Sequence, residues 1–417
     1  MISRRGLLKG MLGAGGAIIG SRIAGPLVRE AAAAELPSSF VHVFFNGGLN
    51  ALFSGNADKY VSGNVFGVTS SNIKTVGNGV VTDASTFGTF SQTALDHWAA
   101  VGIKHNQALH TTPQNQKSGG ERAILTDGTN CYLNQLAHAM GGDSAFPAVY
   151  FGDRAPAYRE QPAFEGVSLQ RVQNLSDAMK TVGAAPADPS GPNRELAAVS
   201  LESAQAISAR QTTQSPTRLG ALGDAYGAAV AALRKAPAKP VTLDEINTAY
   251  QLGGKSEVSS FASMLGGAEI MIRAAGTNVV NVTDFGLASW DFHQLSGGVS
   301  ANGTYSRKKM LATSGGGISR IAALKIFLDR MLAIEDRNVV VCISGEMVRL
   351  PNGDHGDGSV AAVFSNKTRQ GVSFGVDSKS RFASGTPDVK GFWAGIAAAC
   401  GVQGSPFGAN PHSKLLG

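Results

Sequence analysis

Two short segments of this 417-residue chain carry residue types from which an ester-hydrolysing site can be built. The first runs from Asp284 through Trp290-Asp291-Phe292-His293; the second is Glu346-Met347-Val348-Arg349, continuing to Asp354-His355-Gly356. Carboxylate oxygen and imidazole nitrogen both suit zinc and other divalent ions, so Asp291 with His293, and Asp354 with His355, are two candidate ligand pairs. A metal held there would polarise an ester oxygen and lower the pKa of a bound hydroxyl, so that it attacks near neutral pH. Arg349 would stabilise the negative charge that develops. Arg349, Glu346 and Ser118 make up the candidate catalytic set. Thr111 and Thr112, in the same loop as Ser118, stay open as alternative nucleophiles, because spacing favours none of the three. A plainer reading stands beside this one: Trp290 and His293 pack a loop, 354–357 is a Gly-rich acidic turn, and Glu346 with Arg349 is a fixed ion pair.

Strands must deliver these segments. Phe40 to Phe45 is an apolar, β-branched and aromatic run that ends at Asn46-Gly47-Gly48, as a buried strand running into a loop does. Similar runs lie at 148–151, 278–282 and 338–343. Between them come helical patterns at 219–233, 242–252, 259–273, 318–334 and 392–400. The alternation predicts an α/β domain with a central, largely parallel sheet flanked by helices. Functional loops then gather at the strand ends. Residues 60–95 read as irregular structure or a small β excursion, and 184–275 as a helical insertion; there is no internal repeat. Gly315-Gly316-Gly317 reads as a flexible helix start rather than a phosphate cradle. His105 and His110 read as satisfied hydrogen-bonding residues, and His412 as part of the tail.

The N-terminus reads as a twin-arginine export signal over residues 1–34. Arg4-Arg5 precedes a short Gly/Ala-rich apolar stretch, and Ala31 to Ala34 offer a peptidase site. The stretch is shorter than the roughly 18 apolar residues that a spanning helix needs, so no permanent membrane span is expected after cleavage, and the product is expected in the periplasm or outside the cell. Residues 1–34 hold five basic residues and one acid, so their removal takes the formal charge from +6 to +2. With no basic cluster elsewhere, nucleic acid is not the expected partner; a small ester or a surface partner is. About 380 residues remain, enough for a sizeable core without staples. Cys131, Cys342 and Cys400 are far apart, and buried free thiols are expected.

At Gly47-Gly48-Leu49-Asn50, Trp290 to His293, and Glu346 to Arg349 followed by Asp354-His355, the chain resembles DUF1501, a family of exported bacterial proteins grouped with the alkaline phosphatase and sulfatase superfamily. The resemblance spans most of the mature chain. It implies an alkaline phosphatase-like fold and metal-dependent hydrolysis of a phosphate or sulfate ester. Asp291 and His293 would ligate one metal, and Asp354 and His355 another. The chain departs from the family pattern in its first loop, where Asn46 and Gly47 stand in place of an aspartate. A further histidine is replaced by Gln or Asn in the 110–118 loop. Neutral amides bring no charge to a divalent ion, so at most one tightly held metal, zinc among the candidates, and weak or absent hydrolysis are expected. The rival reading is a non-catalytic exported protein that keeps the hydrolase fold and binds a partner, a glycan or the cell surface.

Overall fold

The computed structural model describes residues 36–111, 118–142, 144–152, 163–182, four positions between 199 and 206, 241–254, 260–284, 290, 298–313 and 317–417. The first apolar run of the described residues becomes β1 (Ser38–Phe45), buried on both faces. Along the chain follow a hairpin of β2 (Ile73–Gly77) and β3 (Val80–Asp83), α1 (Gln92–Asp96), β4 (Trp98–Lys104), α2 (Gly120–Leu125), α3 (Tyr132–Met140), β5 (Ala148–Phe151), β6 (Gln170–Val172) and α4 (Leu175–Thr181). After them come α5 (Leu243–Ala249), α6 (Phe261–Ala275), β7 (Val279–Asp284), α7 (Gly298–Leu311), α8 (Arg320–Leu332), β8 (Asn338–Gly345), β9 (Gly358–Phe364), β10 (Gly371–Ser373) and α9 (Val389–Ala399).

Eight strands form one sheet in the order β10-β4-β9-β8-β1-β7-β5-β6. β1 pairs in parallel with both β7 and β8, and β5 and β6 continue the parallel run. β9 alone runs against its neighbours β8 and β4. The α/β architecture with a mostly parallel central sheet thus stands as the sequence predicts. The strands Trp98–Lys104 and Gly358–Phe364 are additions to that expectation. The small β excursion within 60–95 is the β2–β3 hairpin.

Alternate residues of β1 point to opposite faces, as a strand's pleat requires. Val41, Val43 and Phe45 join a core covered by α6 and α8, whereas Phe40 and Phe44 join one covered by α3 and α9. Three helices, α5, α6 and α8, begin one or two residues inside their sequence-predicted spans because side-chain caps set their starts, whereas α9 begins three residues before its span, after the Asp388 cap. Ser260 accepts from Ser263 N, Ser319 from Ala322 N and Thr242 from Glu245 N. Of the span expected as a helical insertion, most of 183–240 lies outside the described residues. Its last helix, α6, belongs to the sheet's own covering layer, since Gly267 lies so near β5 that a Cβ there would sit 2.5 Å from Phe151. The helix predicted at 219–233 also lies outside the described residues.

All three cysteines are buried free thiols. Burial pushes Cys131 and Cys400 up to about 12, and raises Cys342 as well. Among the described residues no helix is long and apolar enough to cross a membrane.

Candidate functional site

Phe45 pairs with Asp284 on one side and with Gly345 on the other, so β7, β1 and β8 end level. Their loops, with the loop after β4, meet at one edge of the sheet. Glu346, the first residue past β8, is fully buried there. A buried carboxylate must be met by donors, and three protein groups supply them. Oε1 accepts from the backbone N–H of Thr111 (3.0 Å) and of Glu121 (3.2 Å), while His110 Nδ1 donates to Oε2 at 2.7 Å. The Glu121 N–H belongs to the first turn of α2, where backbone donors lack helical partners. Gly120 makes the approach possible: a Cβ there would lie 2.7 Å from Glu346 Cγ.

His105 and His355 complete this side. Gln107 N donates to His105 Nδ1 (3.1 Å), which leaves the proton on Nε2 to donate to Glu346 O at 2.9 Å. Burial holds His105 below the ordinary histidine range, in keeping with that neutral tautomer. His355 Nδ1 donates to Ala108 O (2.9 Å), and its ring meets that of His110 edge-on with centroids 4.2 Å apart. Asp354 is exposed, and its carboxylate accepts from His355 N at 2.8 Å, capping its own turn. Asn46, at the end of β1, donates through Nδ2 to Glu121 Oε2 (3.0 Å); its Oδ1 is buried without a hydrogen-bond partner.

Arg349 ties the loops together. Its buried guanidinium donates to Gly47 O, after β1, and to Trp290 O (3.4 Å), after β7. Glu346 and Arg349 are therefore not paired with each other: Glu346 holds the 105–121 loop, and Arg349 holds the loops after β1 and β7.

On the other face of the sheet, Trp290 packs edge-on to Phe45 at 4.6 Å. Its Nε1 donates to Asp284 Oδ2 (2.8 Å), the atom that also receives Arg320 Nε at 2.5 Å. Lys309 Nζ lies 5.8 Å from the Trp290 ring centroid, and the Arg320 guanidinium 5.9 Å from it.

Of the sequence-predicted residues, Glu346, Arg349 and His355 meet at the strand edge. Asp291, His293 and Thr112 lie outside the described residues, although the chain reaches Asp291 directly from Trp290. Ser118 stands just before α2, its carbonyl accepting from Thr111 Oγ1 (3.0 Å). That same Thr111 oxygen accepts from Arg122 N (3.1 Å), so its hydroxyl is engaged at both ends. His412 lies apart, in the tail as predicted, against Ser373 of β10 (2.9 Å), and burial lowers it to about 4. Gly317 has a positive φ and opens onto the Ser319 cap of α8. Sequence reasoning missed Glu121, Arg320 and Lys309, placed Asp284 in its first segment without giving it a role, and read His110 only as a satisfied residue. Only Asp284 carried a signal, as the acid that closes an apolar strand.

Among the described residues no group of three or more His, Cys, Asp or Glu side chains could hold an ion. Comparison with known proteins finds no matching family model, no matching curated protein and no matching solved structure.

Proposed function

We propose that this is an exported protein of the DUF1501 type, sent out by the twin-arginine route, whose alkaline phosphatase-like sheet edge receives a phosphate or sulfate ester and hydrolyses it weakly or not at all. One observation carries the reading: both oxygens of Glu346 are spent on protein donors, while neutral Asn46 stands where the family carries a carboxylate. An acid so engaged holds loops in place and has little left for a metal or a reacting atom. Arg349, facing carbonyl oxygens, acts likewise. The mechanism asked of these residues is one of binding: they fix the four strand-end loops so that an anionic head group finds a preset surface.

A metal-dependent hydrolase is the second reading, favoured by the Trp290–Arg349 contact, which brings the start of the Asp291–His293 segment against the Glu346–His355 loop. Elemental analysis of protein purified from its exporting host, with aryl phosphate and aryl sulfate assays, separates the two. The first reading expects at most one metal per chain and little turnover. Two metals per chain with robust turnover would overturn it.

A further inference from the structure

Among the described residues Lys309 makes no ion pair, and the acid it faces, Asp284, is shared with Arg320. It sits half-buried on α7. The nearby carboxylate of Asp284 is already claimed by Arg320 and by the Trp290 indole. Arg320 spends Nη1 on the carbonyls of Lys309, Ala312 and Thr313, which fixes its guanidinium beside Lys309. Two cations therefore share one acid, over an aromatic face, at the end of a central strand. α8 begins at Arg320, so the positive end of its backbone dipole adds to the same field.

Burying a charge without a counter-charge costs free energy. The Lys309 amine registers that cost: burial first, and then Arg320, hold it below the ordinary lysine range. A cation–π contact with Trp290 offsets only a part. Asp284 raises the amine's pKa in part, but that carboxylate is bonded to Arg320 and Trp290, and an incoming anion would supply a further counter-charge.

We propose that Lys309, backed by Arg320 and Trp290, is an anion subsite that takes the oxyanion head of a ligand, a phosphate or a sulfate. The inference rests on the proposed reading only for the choice of oxyanion. Lys309 donates to the anion, Arg320 holds Asp284 away from it, and the indole forms the floor.

The test is titration of the full mature chain, stripped of metal by chelation, with inorganic phosphate, inorganic sulfate and phenyl phosphate. Calorimetry and intrinsic fluorescence read the binding. Saturable binding of at least one anion is expected, weakening as salt is raised. Lys309→Met should weaken it by about tenfold or more, the loss of one charge-assisted contact, while Lys309→Arg retains it. Tighter binding of phenyl phosphate than of the free anions would assign the ester head to the subsite; the reverse order would assign the released product. A second measurement needs no variant: phosphate should protect Lys309 in the wild-type chain from amine acetylation, read by peptide mass spectrometry. No saturable binding by the wild-type chain, equal binding by Lys309→Met, or acetylation unaffected by phosphate would overturn the proposal. Because no metal and no turnover are involved, this outcome is independent of the hydrolysis assays above.

Discussion

The two sides of the strand edge handle buried charge in opposite ways. On the α3/α9 side, the Glu346 carboxylate is met by two backbone N–H groups and a histidine, and Glu121 by an asparagine amide. That side is closed upon itself. On the α6/α8 side, Asp284 is shared between Trp290 and Arg320, and Lys309 is left over. The first arrangement stabilises loops, and the second leaves two cations on one carboxylate among the described residues, which is what the proposed anion subsite draws on. A strand edge can thus hold its shape on one face and its chemistry on the other.

The comparison breaks most forcefully at Glu346. Glu346→Ala leaves His110 and two backbone donors without their acceptor, and should cost about 3–5 kcal/mol of stability, read from urea unfolding. A loss below about 1 kcal/mol would mean that the closed side is not a structural clamp.

Acid should act on buried histidines, and His105 places one of them on the closed side. Burial lowers His42 to about 3 and His412 to about 4, and lowers His105 as well. Their folded pKa values lie below the ordinary 6.5, so between there and about 3 the unfolded chain binds more protons. Stability is therefore fully present above pH 6.5 and falls as pH drops towards 3, by several kcal/mol, His42 alone contributing up to about 5 kcal/mol. Denaturant midpoints measured across that window check this, and His42→Gln should flatten the slope.

Trp290→Phe keeps the ring and removes the N–H, leaving Asp284 with one donor fewer; a loss of about 1–2 kcal/mol is expected. The smallest effect should come from Lys309→Met. Removing a cation that makes no ion pair among the described residues, and that shares Asp284 with Arg320, should leave stability unchanged, or raise it by up to about 1 kcal/mol. Thermal unfolding distinguishes the two sides directly: if Lys309→Met destabilises as much as Trp290→Phe does, the open side is as closed as its counterpart.

The parallel half of the sheet was legible because β1, β5, β7 and β8 are rich in apolar, β-branched and aromatic residues, as strands buried on both faces are. β4 and β9 were not. Trp98-Ala99-Ala100-Val101-Gly102-Ile103 and Gly358-Ser359-Val360-Ala361-Ala362-Val363 are rich in residues that disfavour strands. Tertiary packing dictates those residues: a Cβ on Gly102 would lie 1.7 Å from Phe374 O, and one on Gly358 2.3 Å from Ile103 O. The positions of Glu346, Arg349 and His355 were legible as a motif, but their partners were not. Glu346 meets Glu121 across 225 residues, and nothing in Gly119-Gly120-Glu121 announces the meeting. The same holds for Arg320, whose match with Asp284 exists only because α8 starts beside the end of β7.

The pairing of β1 also governs when the molecule can exist at all. Its two neighbours, β7 and β8, lie far downstream: Ser39 bonds to Thr277 across 238 residues, and His42 to Ser344 across 302. At about 5–20 residues per second, a ribosome needs roughly 15–60 s to make the chain between them. Throughout that time a strand with Phe40, Val41, Val43, Phe44 and Phe45 to bury waits without a sheet to join. Contacts of such separation also close slowly, so the nascent chain needs shelter until its last third emerges. Any exit route that carries finished proteins would have to hold its cargo back until β8 is in place.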